Sequence, residues 1–141
     1  MDYDAHYQAF YDGLRTGMNN GGFTDVPLLA IHSQDTQTAD APAEPPYVVY
    51  TEETQRNLGA MEAGPVKVVT TGWRVTIRTR DLQDMLDIAS ALTDELELED
   101  LNATADGYVT TAITQLGAQT LWEVDSKLHA KHLRFDWERS K

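Results

Sequence analysis

The chain changes hydrophobic period at Asp81, and few folds accommodate that change. From Trp73 to Thr79, Trp73, Val75 and Ile77 alternate with Arg74, Thr76 and Arg78, the period of a strand with one buried face. Immediately afterwards Leu82, Met85, Leu86, Ala89, Leu92 and Leu96 recur at spacings of three and four, the period of an amphipathic helix. Asp81 stands where it can cap the first turn, and Asp84 adds negative charge near the positive end of the helix dipole. A strand that runs straight into such a helix calls for a sheet with the helix packed on it, an α+β architecture. Acidic residues from Glu95 to Asp100 oppose the dipole at the far end, so the helix is expected to stop before Leu101.

The remaining elements are built around that step. Tyr3, Tyr7, Phe10, Tyr11 and Leu14 fall on one helical face, which predicts a first helix over 2–14, stopped by the glycine and asparagine run Gly17 to Gly22. Val26 to Ile31 is a short apolar stretch. Ser33 to Pro46 holds little to bury and reads as an extended loop. Pro46-Tyr47-Val48-Val49-Tyr50 then opens a strand whose leading prolines suit a sheet edge, and a second polar loop is expected over 51–65. Further strands are expected at Val66 to Val69, at Tyr108 to Gln115 with a bend at Gly117, and at Leu133 to Trp137. Leu121, Trp122 and Val124 form an additional apolar cluster. With 141 residues the chain supports one core, so a single domain over 1–141 is expected, with long loops near 33–45 and 51–65.

Composition removes whole classes of function. The chain has no cysteine, which excludes disulfides, thiolate metal sites and sulfur redox chemistry. There are 23 acidic residues against 11 basic ones, a net charge of −12, which argues against an exposed face that grips a nucleic-acid backbone. Acidity of this size also fits a salt-rich, halophilic cytoplasm, where screening relieves the repulsion. No apolar stretch approaches the ~20 residues of a membrane span, and Met1 to Phe10 lacks the basic start and apolar run of a secretory signal. A soluble product made in the cytoplasm, with no membrane partner, is expected.

The candidate chemistry is thin. His129 and His132 have a His-x-x-His spacing, but the residues around them alternate as a strand and no third ligand stands nearby; His6 and His32 are isolated. The acidic pairs Glu52-Glu53, Asp84/Asp87/Asp94 and Glu95 to Asp100 lie on polar faces or in loops, where a solvated surface explains them. No nucleophile elbow, phosphate loop or dinucleotide fingerprint is present. The expectation is a protein without catalytic residues, cofactor or metal. Trp73 reads as core. Trp137, with charged neighbours close to the last residue, reads as an interface anchor together with Phe135, and the Pro46 to Tyr50 edge offers Tyr47 and Val49 to a partner that adds a strand.

The order of these elements, from the proline-introduced strand Pro45-Pro46-Tyr47-Val48-Val49-Tyr50 through the strand-to-helix step at Trp73 to Leu96 to the alternating strand His132 to Trp137, resembles the tail terminator, or tail completion, family of tailed viruses. The resemblance covers Pro45 to Trp137. It implies a twisted, mainly antiparallel sheet with helices against one face, and subunits in a ring, expected to be a hexamer. The ring would lie at the head-proximal end of the tail tube, between the tube protein and the head-completion or neck proteins, with DNA sliding through the lumen unbound. Ser33 to Glu44 and Thr51 to Gly64 would then reach neighbouring subunits or the tube. The short, aromatic first helix departs from the family pattern. Three other readings are a head–tail connector or head-completion adaptor, a small metal-dependent hydrolase using His129 and His132, and a generic adaptor that adds a strand at the Pro46 edge.

Overall fold

Asp81 caps a helix, as its position demands. Its carboxylate accepts the Gln83 backbone N–H at 3.0 Å, and its carbonyl accepts the Met85 N–H at 3.2 Å. The computed structural model describes residues 5–30, 45–57, 68–97, 109–125 and 127–140. Its elements are α1 (Ala5–Asn20), β1 (Leu28–Ala30), β2 (Tyr47–Asn57), β3 (Val68–Thr79), α2 (Leu82–Glu97), β4 (Val109–Glu123) and β5 (Leu128–Ser140). Both helices lie on one face of a five-stranded sheet ordered β1-β2-β3-β5-β4. Every strand pair is antiparallel except β1 with β2, which is parallel over Leu28 to Ala30. The fold is therefore α+β with an N-terminal helix. Among the described residues no helix is long and apolar enough to cross a membrane.

The first helix is longer than its aromatic face predicts. It runs through Gly17 and ends in a Schellman motif, in which the Phe23 N–H reaches the Met18 carbonyl at 2.8 Å and the Gly22 N–H reaches Asn19 at 3.1 Å. Gly22 supplies the positive φ of 89° that the motif requires. Arg15 secures the chain beyond it, donating to the carbonyls of Phe23 and Val26, each at 2.9 Å. Gly17 is a packing residue and does not stop the helix. A Cβ there would stand 2.9 Å from Glu95 Cβ and 3.0 Å from the Ala91 carbonyl oxygen, so its absence lets α1 and α2 approach closely.

Two of the expected loops and strands also change. The loop expected over 51–65 begins later, because after a bulge at Glu53 β2 continues to Asn57 against Val69 to Gly72. Thr51 and Thr54 are β-branched and suit that ladder. The remainder of that loop, 58–65, and the loop over 33–44 lie outside the described residues, as do His32 and the side chain of His6. The strand expected at Tyr108 to Gln115 continues through the apolar cluster at Leu121 and Trp122 as a single strand, β4. It passes Gly117 on a bulge between Gln115 and Gly117.

The core lies between the helices and the sheet. Phe10 of α1 stacks on Trp73 of β3 with centroids 4.2 Å apart and planes 8° from parallel. Tyr50 and Trp137 flank the stack, each 6.3 Å from Trp73. Leu14, Met18, Met85, Ile88, Leu92 and Leu96 close the layer from the helix side, all 0–1% exposed.

The helix contact gives a direct test. Gly17→Val forces a branched side chain onto a backbone carbonyl and is expected to cost about 1–3 kcal/mol in urea unfolding. Gly117→Ala meets nothing within 4 Å. It is expected to leave stability unchanged or to raise it by about 0.4–1 kcal/mol.

Candidate functional site

The strand order decides which residues can meet a partner. β5 is an interior strand, between β3 and β4, and the alternation Leu133, Phe135, Trp137 points beneath the helices. Phe135 is 2% exposed and Trp137 is 0% exposed; Trp137 lies 6.2 Å from Phe10 and carries the Arg139 guanidinium 4.7 Å above its ring. In place of the expected interface anchors, both are core residues. The physical reason is that the last strand is inserted into the sheet and does not sit at its rim.

Tyr47 and Val49 occupy the opposite sheet face, where they form a small buried cluster with Leu29. They are not on an open edge, because β1 pairs with β2 through Leu28↔Val48, Leu29↔Val49 and Ala30↔Tyr50. Strand addition at Pro46 to Tyr50 is thus already satisfied from within the chain.

The two paired histidines are separated by the sheet. An offset of three residues on a strand reverses the face. His129 on the helix side packs its ring 4.7 Å from Trp122, whereas His132 on the other side lies with Nδ1 2.8 Å from Thr76 Oγ1. The sheet therefore stands between them, which removes the geometric basis of a shared metal. Among the described residues no three His, Asp or Glu side chains group to hold a metal ion. The face away from the helices concentrates positive charge around His132. Arg78 Nε donates to Glu123 at 3.0 Å and Arg134 Nε to Glu53 at 3.3 Å, while Arg74 lies beside them. These pairs are partly solvated and contribute little to stability. Burial, then the neighbouring Arg78 and Arg74, push the His132 pKa below its ordinary value, against a smaller pull from Glu123.

Among the described residues the sheet ends on β1 at one side and on β4 at the other, and the β4 edge is a surface that the sequence patterns did not single out. Its fifteen residues contain one charge, Glu123, and no proline. Leu116 at the bulge is 58% exposed, Leu121 37% and Trp122 52%, and Val124 in the following turn is 73% exposed. Leu82 and Leu86 of α2 are exposed as well, and a groove between that helix and the strand is lined by Leu86, Ala89, Gln115 and Leu133 together with the charged Asp94 and Lys131. The clustering of Leu121, Trp122 and Val124 was visible in the sequence. Their exposure depends on strand order, which local patterns do not encode.

This α+β arrangement has a solved counterpart. A chain in the virion of a native gene transfer agent particle superposes with a TM-score of 0.62 at 13% identity, over 94% of this chain and 92% of that chain. The two chains share a fold. No family model matches the sequence, and no curated protein matches it.

The lowered His132 pKa carries a pH signature. The unfolded chain takes up this proton first as pH falls, so the stability contribution is complete above the unfolded value of about 6.5 and is lost below it, down to the folded value. Urea midpoints are expected to fall between about pH 7.5 and pH 5.5, and His132→Gln should reduce that drop. An unchanged drop in the variant would assign it to other groups.

Proposed function

We propose that this protein is a non-enzymatic structural subunit of a tailed, virus-like particle. In this reading it forms a ring, expected to be a hexamer, at the head-proximal end of the tail tube, where it terminates the tube and joins it to the head or neck. The observation that carries the reading is the fold shared with a subunit of a gene transfer agent virion, which extends across nearly all of both chains. The element order that resembles the tail terminator family supports the finer assignment. A head–tail connector or head-completion adaptor would use the same fold in a neighbouring ring.

Two physical features are consistent with such a role. A net charge of −12 suits a lumen that DNA must traverse without sticking, because carboxylates repel phosphates. A long strand at a sheet edge provides the directional main-chain contact that ring assemblies use. In this assignment the tail tube protein and a head-completion or neck protein are the partners above and below the ring.

The test is the solution mass of the purified protein by light scattering at low and at molar salt, with and without tail tubes. A ring-sized species, alone or once tubes are added, is the expected result. A monomer indifferent to both salt and tubes would overturn the assignment. Genes for capsid and tail-tube proteins are also expected beside the gene for this chain.

A further inference from the structure

We infer that the β4 edge is the surface on which a second copy of this chain docks by adding a strand to the sheet. The inference rests on the self-association reading above and names the residues that would carry it.

Edge strands present a row of unpaired backbone donors and acceptors, and natural proteins blunt them with lysines, prolines or a covering element. β4 has no lysine or proline over Val109 to Trp122, and among the described residues no further strand pairs with its outer side. Its only charge, Glu123, lies at the end of the strand and is engaged by Arg78. Two bulges, at Thr110/Ala112 and Gln115/Gly117, are its only irregularities. Among the described residues every exposed large hydrophobic side chain lies on α2, on β4 or in the turn that follows it. Trp122 pairs in register with His129, which pairs with Thr79, two residues before the cap of α2. Trp122 therefore stands on the helix side of the sheet, at the same end as Leu82 and Leu86. The strand edge and the exposed leucines of α2 thus share one end of the sheet.

Charge selects the occupant. Two copies each carrying −12 repel wherever their acidic surfaces approach, and Asp81, Asp87 and Asp94 line the exposed side of α2. The β4 edge is where like-charged copies meet at the least electrostatic cost, because its contacts are main-chain hydrogen bonds and apolar side chains. A nucleic acid or a basic partner would gain little from β4, whose one charge is Glu123, and the Asp94 and Lys131 beside it offset each other. Contact of this kind strengthens as salt rises, since screening at molar salt shortens the reach of repulsion to ~3 Å while leaving apolar burial intact.

The experiment uses the full chain and has a readout that needs no variant. Trp73 and Trp137 are 1% and 0% exposed, so Trp122 dominates the fluorescence that acrylamide quenches in the monomer. Light scattering is expected to show self-association that increases from ~0.1 M to 1 M salt, with quenching lost in step as Trp122 is covered. Thr120→Lys and Trp122→Glu, both at exposed positions, are expected to weaken association roughly tenfold or more with the circular dichroism unchanged. If the wild type assembles while Trp122 stays quenchable, or if both folded variants assemble like the wild type, the β4 assignment is overturned and the ring reading stands. A wild type that is monomeric in every condition, tail tubes included, overturns the ring reading and this inference with it.

Discussion

The stack of Phe10 on Trp73 is the contact on which the remaining packing depends. It sets α1 over β3, at the middle of the sheet, and Tyr50 and Trp137 close around it from the strands on either side. With α1 fixed there, Leu14 and Met18 continue the same face toward α2. Gly17 then brings the two helices together without a Cβ between them. That close approach narrows the helical layer. Interaxial distances of 8–10 Å between packed helices, set against ~4.8 Å between strands, leave a five-stranded sheet partly uncovered. The uncovered part is the second half of β4, where Ala118, Thr120 and Trp122 remain exposed on the helix side.

Much of this architecture was legible in the sequence, and the boundary of legibility is physical. The period change at Asp81, the cap it provides and the buried face of α2 are local properties, and the structure reproduces them. Trp73 as core follows from the same alternation. The end of α1 was misplaced because glycine carries two meanings. Gly22 ends the helix with a positive φ, whereas Gly17 stays helical and makes room for Glu95. Only the partner element separates these roles, and it lies more than seventy residues away. The same limit applies to the tryptophans. Trp137 and Trp122 both sit in strands with charged or polar neighbours, and strand order alone sends one into the core and leaves the other at the rim.

The histidines show why geometry matters more than spacing. His-x-x-His on a helix places both rings on one face, but on β5 it places them on opposite sides of the sheet. His132 instead becomes part of a polar patch with Arg74, Arg78 and Arg134, opposite the core. There, burial and like charge hold it neutral more readily than in water. The patch is a local concentration of positive charge in an acidic chain. Its pairing to Glu53 and Glu123 uses two of the three arginines within the protomer.

The acidity and the bare edge are best understood together. A fifteen-residue edge strand without lysine or proline is an aggregation hazard, because an extended chain can add to it. A net charge of −12 opposes that hazard at long range, since encounters between copies are repelled before the edges meet. The repulsion is screened by salt, whereas the main-chain and apolar contacts at the edge are not, so the balance between the two is set by conditions rather than by sequence alone. Under the proposed docking, the chain would stay dispersed while its neighbours are absent or misaligned, and it would associate through the β4 edge, where charge is sparse. In the proposed ring the same charge would serve a second purpose once the edges are paired. It would remain on the surfaces left exposed, including any that face the passing DNA.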